Sequence, residues 1–142
     1  KANRAAVEAA GMAAVMRIER DLGYEPRDRS RENVGYDIES SASAGASMEG
    51  LRFIEVKGRV AGAGTVTVSR NEVLSALNNP ERFLLALVEV TFDGDGAVAK
   101  TQTTYLRKPF HNAIDSTANC VVFDIQDLKA KAEVVLERKD VR

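Results

Sequence analysis

A single cysteine, a single histidine and a net charge of −1 narrow what this chain of 142 residues can be. One cysteine, Cys120, excludes an internal disulfide and any zinc-finger spacing, and fits a reducing, cytoplasmic setting. One histidine, His111 in "PFHNA", leaves no Ser/His/Asp or Cys/His set to assemble. The 20 Lys and Arg against 21 Asp and Glu exclude a broadly basic surface, so a polyanion site has to be a local patch. No apolar run approaches membrane-spanning length and no signal peptide is visible, so no membrane association is expected. What remains, 44% hydrophobic and 29% charged residues, is the composition of a soluble globule with one core. Residues 1–142 are expected to form a single domain. Because the chain starts at Lys1 rather than Met, that domain is expected to be a piece of a longer protein.

The apolar pattern changes period several times along the chain. "NRAAVEAAGMAAVMRIERDLGYE" predicts a helix capped by Asn3 and stopped at Gly23, with Ala5, Ala9, Met12, Val15, Met16 and Leu22 as its buried face. In residues 34–39, Val34, Tyr36 and Ile38 alternate with Gly35, Asp37 and Glu39, the period of a strand. "SSASAGASMEG" reads as a flexible loop. "LRFIEVKG" alternates again, with Ile54 and Val56 on one side and Phe53, Glu55 and Lys57 on the other. "TVTVS" reads as a third short strand. Ser69 with Glu72 three residues later is a capping box that opens a helix closed by Pro80. "RFLLALVEVTF" is a strand covered on both faces. "TQTTYLRKP" reads as a further strand, and "CVVFDIQDLKAKAEVVLE" as a short strand followed by a helix capped by Asp124, with Cys120 a small core residue. The order, helix, three strands, helix, strand, predicts an α/β fold with a mixed central sheet.

The charges on the first two strands raise a chemical question. If the strands pair as a hairpin, Asp37 and Glu39 on one arm meet Glu55 and Lys57 on the other. Gathering like charges is unfavourable unless a cation lies between them, and carboxylate oxygens suit magnesium or manganese. An adjacent lysine then orients a water or screens a phosphate, the equipment for metal-assisted hydrolysis of a phosphodiester. The alternative is a solvated sheet face, on which a cross-strand Glu–Lys pair contributes only ~0.2–1 kcal/mol. Arg27, Arg29 and Arg31 lie next to this site in sequence, and Arg59 and Arg70 flank the hairpin end. Each reads either as solvated surface or as a contact to phosphates. Glu8 interrupts the apolar face of the first helix, so it either has a partner or sits at a solvated edge. Glu72 is accounted for by its cap.

The stretches "GYDIES", "FIEVKGR" and "VSRNEVLSALNNPERFLLALVEV", with the leading "VEAAGMAAVMRIERDLGYEPRD", resemble the domain at the C-terminus of the plant protein NO VEIN. The resemblance covers roughly residues 5–107. That family is similar to the PD-(D/E)XK nuclease superfamily, which includes restriction enzymes and has an αβββαβ core. The resemblance implies a divalent-metal-dependent nuclease-like domain that acts on DNA or RNA. It implies attachment to a helicase or ATPase region in the same polypeptide, or to an anti-phage defence protein. It implies Asp37 as the acidic residue of the second core strand and Glu55 and Lys57 as the (D/E)-x-K of the third. Mg2+ or Mn2+ would be held by Asp37, Glu55, the backbone carbonyl of Val56 and Glu8, while Arg27, Arg29, Arg59 and Arg70 would face nucleic acid. Tyr36 stands where the superfamily's name-giving proline would precede Asp37. Three readings stay open: a nuclease, a nucleic-acid- or partner-binding module of the same fold, and an interaction domain with solvated charges.

Overall fold

The computed structural model describes residues 3–42 and 50–142. The expected loop over residues 40–50 therefore lies, for residues 43–49, outside the described residues. Its first part, Ser40 to Ala42, is strand. Chain order is α1 (Arg4–Asp21), β1 (Tyr24–Asp28), β2 (Ile38–Ala42), β3 (Leu51–Val60), β4 (Thr65–Ser69), α2 (Arg70–Asn78), β5 (Phe83–Phe92), β6 (Val98–Arg107), β7 (Cys120–Asp124), α3 (Ile125–Lys131) and β8 (Glu133–Val141). A six-stranded sheet runs β1-β2-β3-β5-β6-β8, and β4 and β7 pair separately. Only β3 and β5 are parallel among the pairs of the large sheet, so the sheet is mixed as expected.

Two cores lie on the two faces of this sheet. Under α1 sit Val7, Val15 and Ile18 with Ile38, Ile54, Leu84, Ala86, Val88 and Tyr105. On the opposite face α2, α3, β4 and the chain around Phe110 cover Phe83, Leu85, Leu87 and Leu106. The continuous apolar run of β5 feeds both cores, which is why it showed no alternation.

α1 is capped as expected: the Asn3 side chain accepts from Ala6 N at 2.7 Å. Gly23, at φ +92°, follows its end. Its buried face matches the expected one in part: Val15 is buried and Met12 and Met16 pack against the core, while Leu22 is exposed. Ala5 and Ala9 are exposed, and the buried line is Val7, Gly11, Ala14, Val15, Ile18 and Glu19. Close approach decides this. Gly11 lies on Gly58 of β3, where an added Cβ would stand 2.7 Å from the Val7 carbonyl oxygen. Two missing side chains let helix and strand backbones touch. Glu19 is wholly buried there and accepts from the Tyr105 hydroxyl at 2.9 Å, with the Arg52 guanidinium at 3.4 Å. Burial, with Glu19 beside it, pushes the Tyr105 phenol up.

Three strand assignments are corrected. Residues 34–39 are not one strand: Gly35, at φ +92°, turns the chain beneath Asn71 and Ser75 of α2, and β2 begins only at Ile38. "TVTVS" is β4, paired with β7 rather than lying in the large sheet. The third core strand is instead β1, which pairs antiparallel with β2. Its sequence, "YEPRD", is polar and holds a proline, both compatible with the edge of a sheet but silent to an alternation test. "EVVLE" continues not as helix but as β8, because α3 ends at Lys131. Cys120 is exposed rather than in the core.

Candidate active site

β2 and β3 are antiparallel neighbours, with Ile38 opposite Ile54. Asp37 stands one residue before β2, and its N–H still donates to the Ile54 carbonyl at 2.9 Å. The Asp37 side chain then takes over where the ladder ends: Oδ2 accepts from Val56 N at 2.9 Å. Val56 presents its N–H, and with it its carbonyl, to the side of β3 from which the β2 chain has departed. Asp37 is thereby locked beside the middle of β3 by a hydrogen bond to a charged group, worth about 1.5–3 kcal/mol.

Strand alternation sends Ile54 and Val56 to the α1 core and Phe53, Glu55 and Lys57 to the other face, as expected. Glu55 is 3% exposed. Burial raises its pKa well above the ordinary 4.5, and the neighbouring Asp37 carboxylate pushes in the same direction. Burial also raises Asp37, against the opposing pull of the Val56 N–H, a hydrogen bond to Glu55 and the charge of Lys57. The two neighbouring carboxyls therefore resist losing both protons.

Lys57 Nζ lies 3.2 Å from Glu55 Oε2 and 2.9 Å from Glu72 Oε1. Burial would drive its pKa down, but Glu55 and Glu72 together outweigh burial and raise it, so Lys57 is an ammonium at neutral pH. Glu72 is the residue that sequence reasoning set aside. Its capping role is present: Oε1 accepts from Ser69 N at 2.9 Å and its own N–H donates to Ser69 Oγ at 3.1 Å. The same side chain also reaches Lys57. Burial pushes Glu72 up, yet Lys57, the Ser69 N–H and Glu55 outweigh it and its pKa is lowered. The signal available in the sequence was its place in the first turn of the helix that crosses back from β3 to β5.

The remaining residues named above are distributed as follows. Glu8 is not brought to this cluster: its exposed carboxylate pairs with Arg4 at 3.0 Å, on the helix that covers the other face of β3. Arg29 binds Glu32 and Glu39, each at 2.7 Å, beside the Tyr36 hydroxyl, which donates to Glu39 at 3.2 Å. Tyr36 stacks on Phe53 with ring centroids 4.6 Å apart. Arg70 Nη2 donates to the carbonyls of Asp115 and Ala118, so its guanidinium is turned to that loop. Arg27, on the edge strand β1, and Arg59, two residues beyond Lys57 on the same face of β3, are exposed. His111 is exposed, with its ring on the Lys131 carbonyl at 3.1 Å.

A mixed sheet between helices, with a buried Glu55 and a half-buried Asp37 beside an ammonium at the point where β2 leaves β3, defines an α/β domain with an acid–lysine site on its central strand. The chain matches the family described as Protein NO VEIN, C-terminal, over residues 7–104, and belongs to it. The match runs from α1 into β6 and includes every residue of the cluster. No curated protein and no solved structure matches the chain.

Proposed function

We propose that this domain is a divalent-metal-dependent nuclease-like domain acting on DNA or RNA. The observation that carries the reading is the placement of Asp37: hydrogen-bonded to Val56 N and facing the buried Glu55, with Lys57 two residues along the same face. This donor set fits a hard cation. Two carboxyls that suppress each other's ionisation accept a divalent ion readily, because it displaces protons and cancels the repulsion. Among the described residues no group of three or more His, Cys, Asp or Glu side chains is arranged to hold a metal ion. Asp37 and Glu55, with the Val56 carbonyl, would supply part of a shell that waters and a phosphate complete, the habit of magnesium and of chemically similar manganese.

Such an ion would lower the pKa of a bound water and stabilise charge on phosphate oxygens. With the ion bound, Asp37 and Glu55 would hold negative charge at one place on a rigid sheet. Lys57, an ammonium, offers positive charge and N–H donors toward a phosphate oxygen or an attacking water rather than acting as a base. Of the four arginines assigned to nucleic acid, Arg27 and Arg59 are exposed and could meet a phosphate backbone, while Arg29 and Arg70 serve the fold. A helicase region in the same polypeptide, as the family resemblance implies, would supply unwound strand.

The test is incubation of plasmid, single-stranded DNA and RNA with the protein in magnesium or manganese, beside Lys57→Ala and Glu55→Gln. Metal-dependent cleavage is expected in the wild type only. Lys57→Ala is expected to keep the metal, and Glu55→Gln to lose it. The near-neutral charge and the internal commitment of Arg29 and Arg70 favour, as second reading, a binding module of the same fold. Retained nucleic-acid binding without cleavage under any of these conditions would select it.

A further inference from the structure

Lys57 has two anchors of different kinds. Glu55 is the buried carboxyl that also faces Asp37, and it lies 3.2 Å from Nζ. Glu72 is nearer, at 2.9 Å, and comes from a different element. Its position does not depend on Lys57, because the capping box with Ser69 pins it at both its backbone and its side chain. Asn71, its neighbour, reaches the Asn33 carbonyl at 3.4 Å, and Gly35 packs under Ser75, so the start of α2 is seated on the loop that delivers Asp37.

A cation arriving between Asp37 and Glu55 competes with Lys57 for the Glu55 carboxylate, of which Oε2 faces Nζ. Were Glu55 the only partner, this would strand a largely buried ammonium, and that cost would be charged against cation binding. We infer that Glu72 is a positioning residue that holds Lys57 in place when Glu55 is given up to a divalent cation. The inference rests on the metal-binding reading above and adds to it a fourth residue with a separate role. The capping box is thus more than a helix stop. It fixes the second anchor at a set distance from β3, so that Lys57 keeps its place on the strand whether or not Glu55 is engaged.

Manganese binding to the purified chain, followed by titration calorimetry, tests this without any turnover. Glu72→Ala is expected to weaken manganese binding by about tenfold, since Lys57 then has Glu55 alone and competes with the ion. Glu72→Gln keeps an acceptor for both Ser69 N and Lys57 and should fall between wild type and Glu72→Ala. In a Lys57→Met background, Glu72→Ala should have no further effect. Ser69→Ala removes the cap hydroxyl but keeps the Ser69 N–H that Glu72 accepts, so it should lower the melting temperature and weaken manganese binding less than Glu72→Ala does. An undiminished affinity in Glu72→Ala overturns the inference, as does an equal loss in the Lys57→Met background, which would make Glu72 a ligand or a purely structural residue. A wild type that binds no manganese overturns the metal reading itself, and this inference with it.

Discussion

At the scale of single residues, Asp37 carries two separable duties. As an acceptor it satisfies Val56 N–H, and as a charge it opposes ionisation of Glu55. Asn can perform the first duty and not the second. Metal-free Asp37→Asn should therefore melt at or above the wild-type temperature and gain nothing from magnesium. Asp37→Ala strands the N–H and should lose about 1–3 kcal/mol; thermal melts of the three proteins with and without magnesium decide it. Glu55 sets a pH dependence. Its folded pKa is raised, chiefly by burial, so the folded state keeps a proton that the unfolded state releases near 4.5. This group's contribution is then most favourable below about pH 4.5 and is lost as pH rises toward the folded value. Glu55→Gln cannot ionise, so its stability relative to the metal-free wild type should increase between pH 4.5 and neutrality. Urea unfolding across that range would show the opposite trend if Glu55 were stabilised as a carboxylate.

Among the elements, the α1–β3 contact and the start of α2 hold the site from its two sides. Gly58→Ala would place a Cβ 2.7 Å from the Val7 carbonyl oxygen, a clash with backbone that only a shift of α1 relieves. It should cost about 1–3 kcal/mol by denaturant unfolding. Gly64→Ala, with nothing within 4 Å of its added Cβ, should cost much less. The limits of α1 and α2, the Ser69–Glu72 box and the alternation of β3 were legible in the sequence, because each depends on residues a few positions apart. The polar edge strand β1 was not, since an edge with Pro26, Glu25 and Arg27 buries too little to leave an apolar period. β8 was read as helix because "EVVLE" follows a true helix without a strong breaker, and its pairing with β6 is what makes it a strand.

For the molecule as a whole, the sheet separates chemistry from support. Its α1 face is a packed core with the buried Glu19–Tyr105 bond, and its other face, also packed by α2, α3 and β4, carries Glu55, Lys57 and Arg59 at the side of that cover. On the proposed function, nucleic acid would approach Lys57 and Arg59 and the β1 edge. Arg59→Ala and Arg27→Ala should each weaken binding of single-stranded DNA and reduce the slope of log affinity against log salt by somewhat under one. Arg70→Ala should instead lower the melting temperature, since that guanidinium holds the loop at Asp115 and Ala118. Equal salt slopes for wild type and Arg59→Ala would remove this face from consideration. Among the described residues no helix is long and apolar enough to cross a membrane.

The amino-acid sequence by itself determined the α/β class, the ends of α1 and α2, the doubly buried β5 and the shared face of Glu55 and Lys57. Each is written in local periodicity, caps and turn residues. Only the tertiary structure decided that β1 rather than β4 completes the first three strands of the sheet. It alone decided that Glu8 stands on the far side of β3, that Arg29 and Arg70 are spent on internal partners, and that Glu72 meets Lys57. The physical reason is range. Asp37 and Val56 meet across nineteen residues of chain, and Lys57 meets Glu72 only because the crossover through β4 seats α2 on the face opposite α1. Which helix face turns toward which strand follows from packing, such as Gly11 on Gly58 and Gly35 beneath Ser75, and packing at a distance leaves no period in the sequence to read.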